Sequence, residues 1–448
     1  MNEIRIENAW VCKINKTNIA PIFCDIIIKN GKINSFISKN FKDYVSSIKI
    51  NGKKPKNVYD AAGRVVTIPH VNFHDHFYSR LAKGLDVKGD TNSFYYILHN
   101  LWWKLDRALD LNMVRASAQM SVAEAIKNGV SYIFDHHASP KATKGSLSTI
   151  AEVIKENNLR ASLSFETSDR NGAKLANLAL KENIRFLEDE TNDDLKAMLG
   201  LHASFTLADD TLSEAEKLVK EYKLGIHIHL AEDPTDAIIS KENTGKLPLR
   251  RLRNYNLLNE KSILAHGIYL TKPEYKEIDK AGSSIAFNLD SNLNNAVGLP
   301  NFGGIVDGIP ILMGTDGMHG NPGRTLKNYF LLMRNKGLSF DLAFKYVVKT
   351  YFDQLAFVRR YFKDFPSLNI GDRADFVVWD YVPPTPLTSN NFWGHYIYGI
   401  LERPAQSLIQ KGEFILKDKK ILTMNEDAVN KEIYIQGEKL SKKFKRIK

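Results

Sequence analysis

The stretch Val65-Val-Thr-Ile-Pro-His-Val-Asn-Phe-His-Asp-His76 opens as a short apolar run and closes on two histidines one residue apart. Such a run reads as a buried strand, and along a strand residues i and i+2 face the same way. His74 and His76 therefore aim two imidazoles at one point from the end of a rigid element, which is the presentation a divalent transition metal needs. Two nitrogens alone do not make a site. Whether the chain completes it depends on what the rest of the fold brings to the same place.

Seven more short apolar runs follow the first, Val65–Val71, and helical patterns such as Met113–Asn128 and Leu212–Tyr222 separate most of them. They are Val130–Phe134, Leu159–Phe165, Ala197–Leu201, Gly225–Leu230, Ser262–Ala265, Ser283–Phe287 and Ile309–Gly314. Eight strands alternating with helices predict an α/β fold of the (β/α)8 TIM-barrel type. The flanking segments read differently. Short strands precede residue 65, with Asn30-Gly31 as a hairpin turn, and strands return after residue 366 beyond a proline-set connection at Val382–Leu387. The expected organisation is 1–64 and 366–425 as two parts of one small β-sandwich domain, 65–365 as the barrel, and 426–448 as a basic tail.

Composition narrows the function classes. The 448 residues are 43% hydrophobic and 25% charged, the balance of an ordinary soluble globular protein. No apolar run reaches the roughly 18 residues of a membrane span, and the N-terminus has no signal-peptide core. Two cysteines, Cys12 and Cys24, cannot build a disulfide framework, so a cytoplasmic protein is expected. The net charge of +11 is spread over the whole chain and clusters only in Lys442–Lys448, which argues for a solvated surface and against a nucleic-acid partner.

A barrel places its chemistry at the C-terminal ends of its strands. The eight runs end, in order, in His74 and His76; Asp135-His136-His137; Glu166 with Asp169-Arg170; His202; His229 with Glu232; His266; Asn288–Asn292; and Thr315-Asp316-Gly317. Seven of the 12 histidines fall at such ends, which scatter would not produce. This set, His74-x-His76, His229-x-x-Glu232, His266 and Thr315-Asp316-Gly317, resembles the metal-dependent amidohydrolase superfamily in its deaminase and chlorohydrolase branch. The longer phrases His76-Phe-Tyr-Ser79, Leu101–Asp110, Asp135–Ser139, Thr167–Asn171, His227–Asp233 and Ser291–Gly298 are similar to SsnA-type aminohydrolases. The similarity runs to about residue 425.

The resemblance implies one divalent ion per chain, Zn²⁺ or Fe²⁺, held by His74, His76, His229 and Asp316, with a position left for water. It implies that Asp316 also accepts the water's proton, that Glu232 carries protons to the substrate, and that His266 polarises the developing alkoxide or positions the water. His202 would face the substrate. Relatives with two ions use a carboxylated lysine at the end of strand four; here that end is His202, so a single ion is expected. The implied reaction is hydrolytic deamination of an amino-substituted heterocycle or a guanidine-like small molecule, in a homo-oligomer. The alternatives are another carbon–nitrogen or carbon–chlorine leaving group, or a non-catalytic binding protein on the same scaffold.

The residues around this set have plainer readings beside functional ones. Phe77 and Tyr78 follow the metal motif and are candidates for the pocket wall. Arg170 is either a substrate clamp or half of a buried ion pair with a carboxylate. Trp102 and Trp103 sit on an amphipathic pattern that favours core. His136, His137 and His227 read as supports behind the ligands, and His70 and His319 as residues without a chemical role. Two departures from the family stand out: Pro69-His70 where Pro-Gly is usual, and Lys83-Gly84 where Arg-Gly is common. The zinc signature of nucleic-acid deaminases, His-x-Glu with Pro-Cys-x-x-Cys, is absent.

Overall fold

Ile68-Pro69 cuts the opening run in two. The computed structural model, which describes residues 3–47, 55, 57–304 and 308–447, places Val65–Thr67 (β5) in a sheet of the chain ends and His70–Asp75 (β6) in the barrel. The expected single strand Val65–Val71 is thus two. Proline has no N–H to give a ladder, so the chain can change sheets there without abandoning a hydrogen bond. Met1, Asn2 and Lys448 of the expected terminal segments lie outside the described residues.

The end sheet holds Glu3–Asn15 (β1), Asn18–Lys29 (β2), Lys32–Ser38 (β3), Val58–Asp60 (β4) and β5 from the front of the chain. From the back it takes Phe376–Trp379 (β15), Ala405–Gln410 (β16), Glu413–Lys417 (β17) and Lys420–Ile421 (β18). β5 is the join, pairing parallel with β1 and antiparallel with β15. Both ends therefore share one domain, as the strand patterns indicated. The β2–β3 hairpin turns on Asn30 (φ 52°) and Gly31 (φ 73°), two left-handed residues that match the twist of the strands.

The barrel contains β6, Val130–His137 (β7), Arg160–Phe165 (β8), Leu195–Ala197 (β9) and Leu199–Ala203 (β10). It continues with Ile226–Leu230 (β11), Ile263–His266 (β12), Ser284–Phe287 (β13) and Ile311–Met313 (β14). β6 to β9 form one parallel sheet and β10 to β14 another. Parallel bridges Thr167–Leu201 and Asp75–Asp316 connect the two and close the ring. The fourth strand is broken between β9 and β10, so the expected run Ala197–Leu201 straddles a break. At Gly200 a Cβ would lie 2.3 Å from the carbonyl oxygen of Phe165, so no other residue lets the two halves approach this closely.

Every residue of β7, β8, β10 and β11 is buried, as strands covered on both faces must be. Inside, Phe73 stacks on Phe134 at 5.2 Å and meets Phe357 edge-on at 5.8 Å. Each fully buried ring of this kind contributes about 1.5–3 kcal/mol. The end sheet shuts the bottom of the barrel: Trp379 Nε1 donates to Thr67 Oγ1 at 2.8 Å, and its ring lies 4.8 Å from that of His70. The expected basic tail is instead a helix, Glu426–Phe444. Asn425 caps it, and it buries Gln436, Leu440 and Phe444. It packs on the helix Leu111–Lys127. No helix among the described residues is long and apolar enough to cross a membrane.

Candidate metal centre and active site

The ring brings four strand ends to one point. His74 lies near the end of β6 and His76 just beyond it; His229 and His266 lie at the ends of β11 and β12; Asp316 follows β14. Donor atoms of His74, His76, His229 and Asp316 all lie within 4.8 Å of one another. Asp316 Oδ1 is 2.9 Å from His76 Nε2 and 3.6 Å from His74 Nε2, and the Nε2 atoms of His76 and His229 are 3.1 Å apart. Two donors each about 2.1 Å from a tetrahedral ion stand about 3.4 Å apart, so this spacing suits one metal.

Hydrogen bonds behind the rings fix which nitrogen faces inward. His76 Nδ1 donates to the carbonyl of His136 at 2.5 Å, and His229 Nδ1 donates to that of His202 at 2.9 Å. Each ring therefore turns Nε2 inward, free to give a lone pair to a metal or, on His76, to hold a proton against Asp316. His74 Nδ1 meets His227 Nε2 at 2.8 Å, while His74 Nε2 is buried without a partner. Three converging imidazole lone pairs and a carboxylate are a repulsive arrangement unless a cation sits among them. The electrostatics agree. Burial holds His74 and His229 well below the usual imidazole range, in the neutral form that ligates. Burial opposes charge on His76 too, but the hydrogen bond and charge of Asp316 outweigh it and lift that ring to about 9. The spot favours positive charge. The donor set therefore fits a divalent metal.

Local backbone serves the same point. Asp316 (φ 52°) and His266 (φ 75°) both adopt the left-handed conformation that non-glycine residues seldom take, so their side chains turn inward at a conformational cost. Before Asp316, a Cβ on Gly314 would meet Asn288 Oδ1 at 2.2 Å and His74 Cβ at 2.7 Å.

Three groups for proton transfer stand beside the donors. Asp316, though buried, is held well below the carboxylate range by the neighbouring imidazoles of His74, His76 and His266. Glu232 goes the other way: burial first and the Asp316 charge second push it well above. His266 Nε2 is 3.4 Å from Glu232 Oε2. One turn of helix, Leu289–Asn294, with the residue after it, supports all three. Ser291 donates to Asp316 Oδ2, Asn292 Oδ1 accepts from His266 Nδ1 at 2.8 Å, and the Asn295 side chain bonds Glu232. Sequence reading marked this segment as polar but missed these roles, because polar residues at a strand end carry no direction until the strands are placed.

A cavity opens above the donors. His202 and Tyr78 line it. Phe77 does not: it is fully buried in the core, and only its backbone serves the site, its N–H going to Asp135 Oδ1 at 2.8 Å. Trp102 and Trp103, read as core, form part of the wall with Phe94 and Phe205. Arg170 lines the cavity, but its guanidinium is taken by Asp106 (2.5 Å) and Glu166 (2.7 Å), which leaves no free clamp for a substrate carboxylate. Asp106, which sequence reading did not single out, keeps Oδ1 unpartnered and buried at the cavity wall.

The chain is similar in sequence and in fold to known proteins. The model of the Amidohydrolase family matches residues 65–402. A 5'-deoxyadenosine deaminase of Methanosphaera stadtmanae is 26% identical over 383 residues, covering 83% of this chain and 86% of the relative. A 5-methylthioadenosine/S-adenosylhomocysteine deaminase of Thermococcus sibiricus is 26% identical over 426 residues, 92% of this chain and 94% of the relative. Among solved structures, an adenosine deaminase from Xanthomonas campestris with bound zinc superposes with a TM-score of 0.80 over 98% of both chains at 18% identity.

Proposed function

The chain belongs to the amidohydrolase family, and from that premise we propose that it hydrolyses the exocyclic amine of an adenine-type nucleoside, releasing ammonia. The relatives of matching length are deaminases of 5'-deoxyadenosine and of methylthioadenosine. The observation that carries the reading is the pairing of Glu232, pushed towards its protonated form, with Asp316, pushed towards its ionised form, beside a cluster of donors for one metal. Two carboxyl groups pushed in opposite directions divide the work of acid and base.

His74, His76, His229 and Asp316 hold the ion, with zinc the choice that three imidazoles and a carboxylate suit best and Fe²⁺ the alternative. When bound, the metal supplies Lewis acidity that brings a water towards ionisation near neutral pH. Asp316 takes the proton of the attacking water. Glu232 delivers its proton to the ring nitrogen next to the carbon under attack, the proton on Asp316 goes on to the leaving amine, and the remaining proton of the added water restores Glu232 as the carbonyl forms. His266, with Nδ1–H given to Asn292, presents Nε2 as an acceptor that orients the water. The aromatic wall stacks on the purine, and the unpartnered Asp106 Oδ1 takes a hydrogen bond from a hydroxyl on the sugar, with Tyr78, His202 and Arg170 around it.

The test is ammonia release by zinc-loaded protein offered 5'-deoxyadenosine, methylthioadenosine, guanine and a chlorotriazine in parallel. Turnover of the adenine nucleosides is expected. Chloride release without ammonia would replace this reading with the chlorohydrolase one, and no turnover of any of them by the metal-loaded protein would remove both.

A further inference from the structure

We propose that the metal centre has a second seat, sharing His76 and His229 with the first and completed by His136 and Glu166. The inference rests on the ion described above but not on the reaction. Donor atoms of these four residues also lie within 4.8 Å of one another.

Three observations support the seat. Both ring nitrogens of His136 are buried and without a hydrogen-bond partner. A neutral imidazole always carries one N–H and one lone pair, and leaving a buried polar group unpaired costs about 1–3 kcal/mol. His136 is therefore a poor candidate for mere filler in a fold that pairs the far nitrogens of three neighbouring rings. Its Nδ1 stands 3.6 Å from Glu166 Oε2, too far for a strong hydrogen bond and close to the about 3.4 Å between two donors on one tetrahedral ion. Finally, the two residues lie side by side at the mouth, His136 near the end of β7 and Glu166 directly after β8.

The seats share an edge. The first is closed by His74 and Asp316, the second by His136 and Glu166. Because the lone pairs of His76 and His229 serve both, one ion has two positions and the two cannot be filled together. The first is favoured. Glu166 Oε1 is bound by Arg170 Nη1 at 2.7 Å, which draws on its charge, whereas the Oδ2 of Asp316 meets only the hydroxyl of Ser291. The second seat, three nitrogens and one oxygen, takes the same borderline ions, and it becomes the occupied one when the carboxylate of Asp316 is withdrawn.

The experiment uses cobalt(II) as the probe, counted per chain after equilibrium dialysis and located by anomalous diffraction. Asp316→Asn should keep close to one ion per chain, with the anomalous peak moved to lie between His136 and Glu166. Adding His136→Ala, or in a separate variant Glu166→Gln, to that background should abolish binding, while His136→Ala alone keeps the wild-type stoichiometry. Loss of cobalt already in Asp316→Asn, a peak still in the first position, or equal retention in single and double variants would each overturn the proposal. Metal content is read independently of turnover, so a protein that binds cobalt as expected yet deaminates nothing would fail the functional reading and leave the second seat standing.

Discussion

His74 Nδ1 and His227 Nε2 lie 2.8 Å apart, one imidazole bonded directly to another in a fully buried site. A ligand that gives Nε2 to a metal carries its proton on Nδ1, so His74 donates and His227 accepts. His227 then carries its own proton on Nδ1, which has no partner. The pair fixes the tautomer and the ring orientation of the first ligand. Removing such a support weakens metal binding by about 10–100-fold. His227→Ala is expected to show a loss of that size in competition with a chelator, with His227→Gln, which can still accept, losing less. Equal affinities in all three proteins would show that His74 is oriented by other means.

Glu232 sits where it could be mistaken for a ligand, because its carboxylate, His266 and Asp316 also cluster within 4.8 Å. The direction of its shift separates the roles: burial and the nearby Asp316 charge push its carboxyl well above the usual range, whereas Asp316 is pushed well below it. Glu232→Gln should keep the metal content of the wild type and lower kcat by about 10²–10⁴-fold, the range for a positioned proton donor. Loss of metal in this variant would make Glu232 a ligand.

Asp135 supplies a pH signature. Burial, and then the charge of neighbouring Asp75, push its carboxyl up to about 8. Asp75 stays paired with Arg80 at 2.7 Å. Between the ordinary carboxylate range and about 8 the folded state holds a proton that the unfolded chain has released, so stability falls as pH rises through that window and levels off above it. The slope is about 1 kcal/mol per pH unit. Asp135→Asn removes it. Urea unfolding of metal-stripped protein from pH 6 to 9 should show the variant gaining on the wild type up to about pH 8. A constant difference across that range would place the Asp135 proton elsewhere.

The ligand set was legible only through the family resemblance; strand spacing by itself gave the pairing of His74 with His76 and the gathering of titratable residues at the strand ends. Residues defined by a third partner were not legible. Phe77 follows His76 directly, but the turn after β6 sends its ring into the core. Trp102 and Trp103 lie in the short helices Leu98–Trp102 and Trp103–Ala108, whose amphipathic pattern does not tell a core-facing side from a cavity-facing one. The helix Glu426–Phe444 was hidden because its lysines outweigh three buried positions in composition. Ile68-Pro69 carried the signal of a break, and the apolar residues on either side masked it.

Arg170 joins two carboxylates inside the pocket wall. Nη2 reaches Asp106 at 2.5 Å, Nη1 reaches Glu166 at 2.7 Å, and the guanidinium lies 5.6 Å from the ring centroid of Trp103. All three charged side chains are at most 9% exposed. Burial lifts Asp106 to about 6 even with the Arg170 charge opposing it. Arg170→Met would leave two buried carboxylates without a counter-charge, a change that costs about 3–5 kcal/mol. The cost should be larger at pH 8 than at pH 5. Without Arg170 the Asp106 pKa rises further, so at pH 5 the folded state can neutralise that group by binding a proton. Arg170→Lys should recover only part of the loss, because an ammonium cannot fork to both partners. Adding Asp106→Asn to Arg170→Met should recover part as well and flatten the pH dependence. Denaturant unfolding at the two pH values measures all four. A loss under about 1 kcal/mol, equal at both, is the behaviour of an exposed ion pair and would mean that water reaches the triad from the cavity.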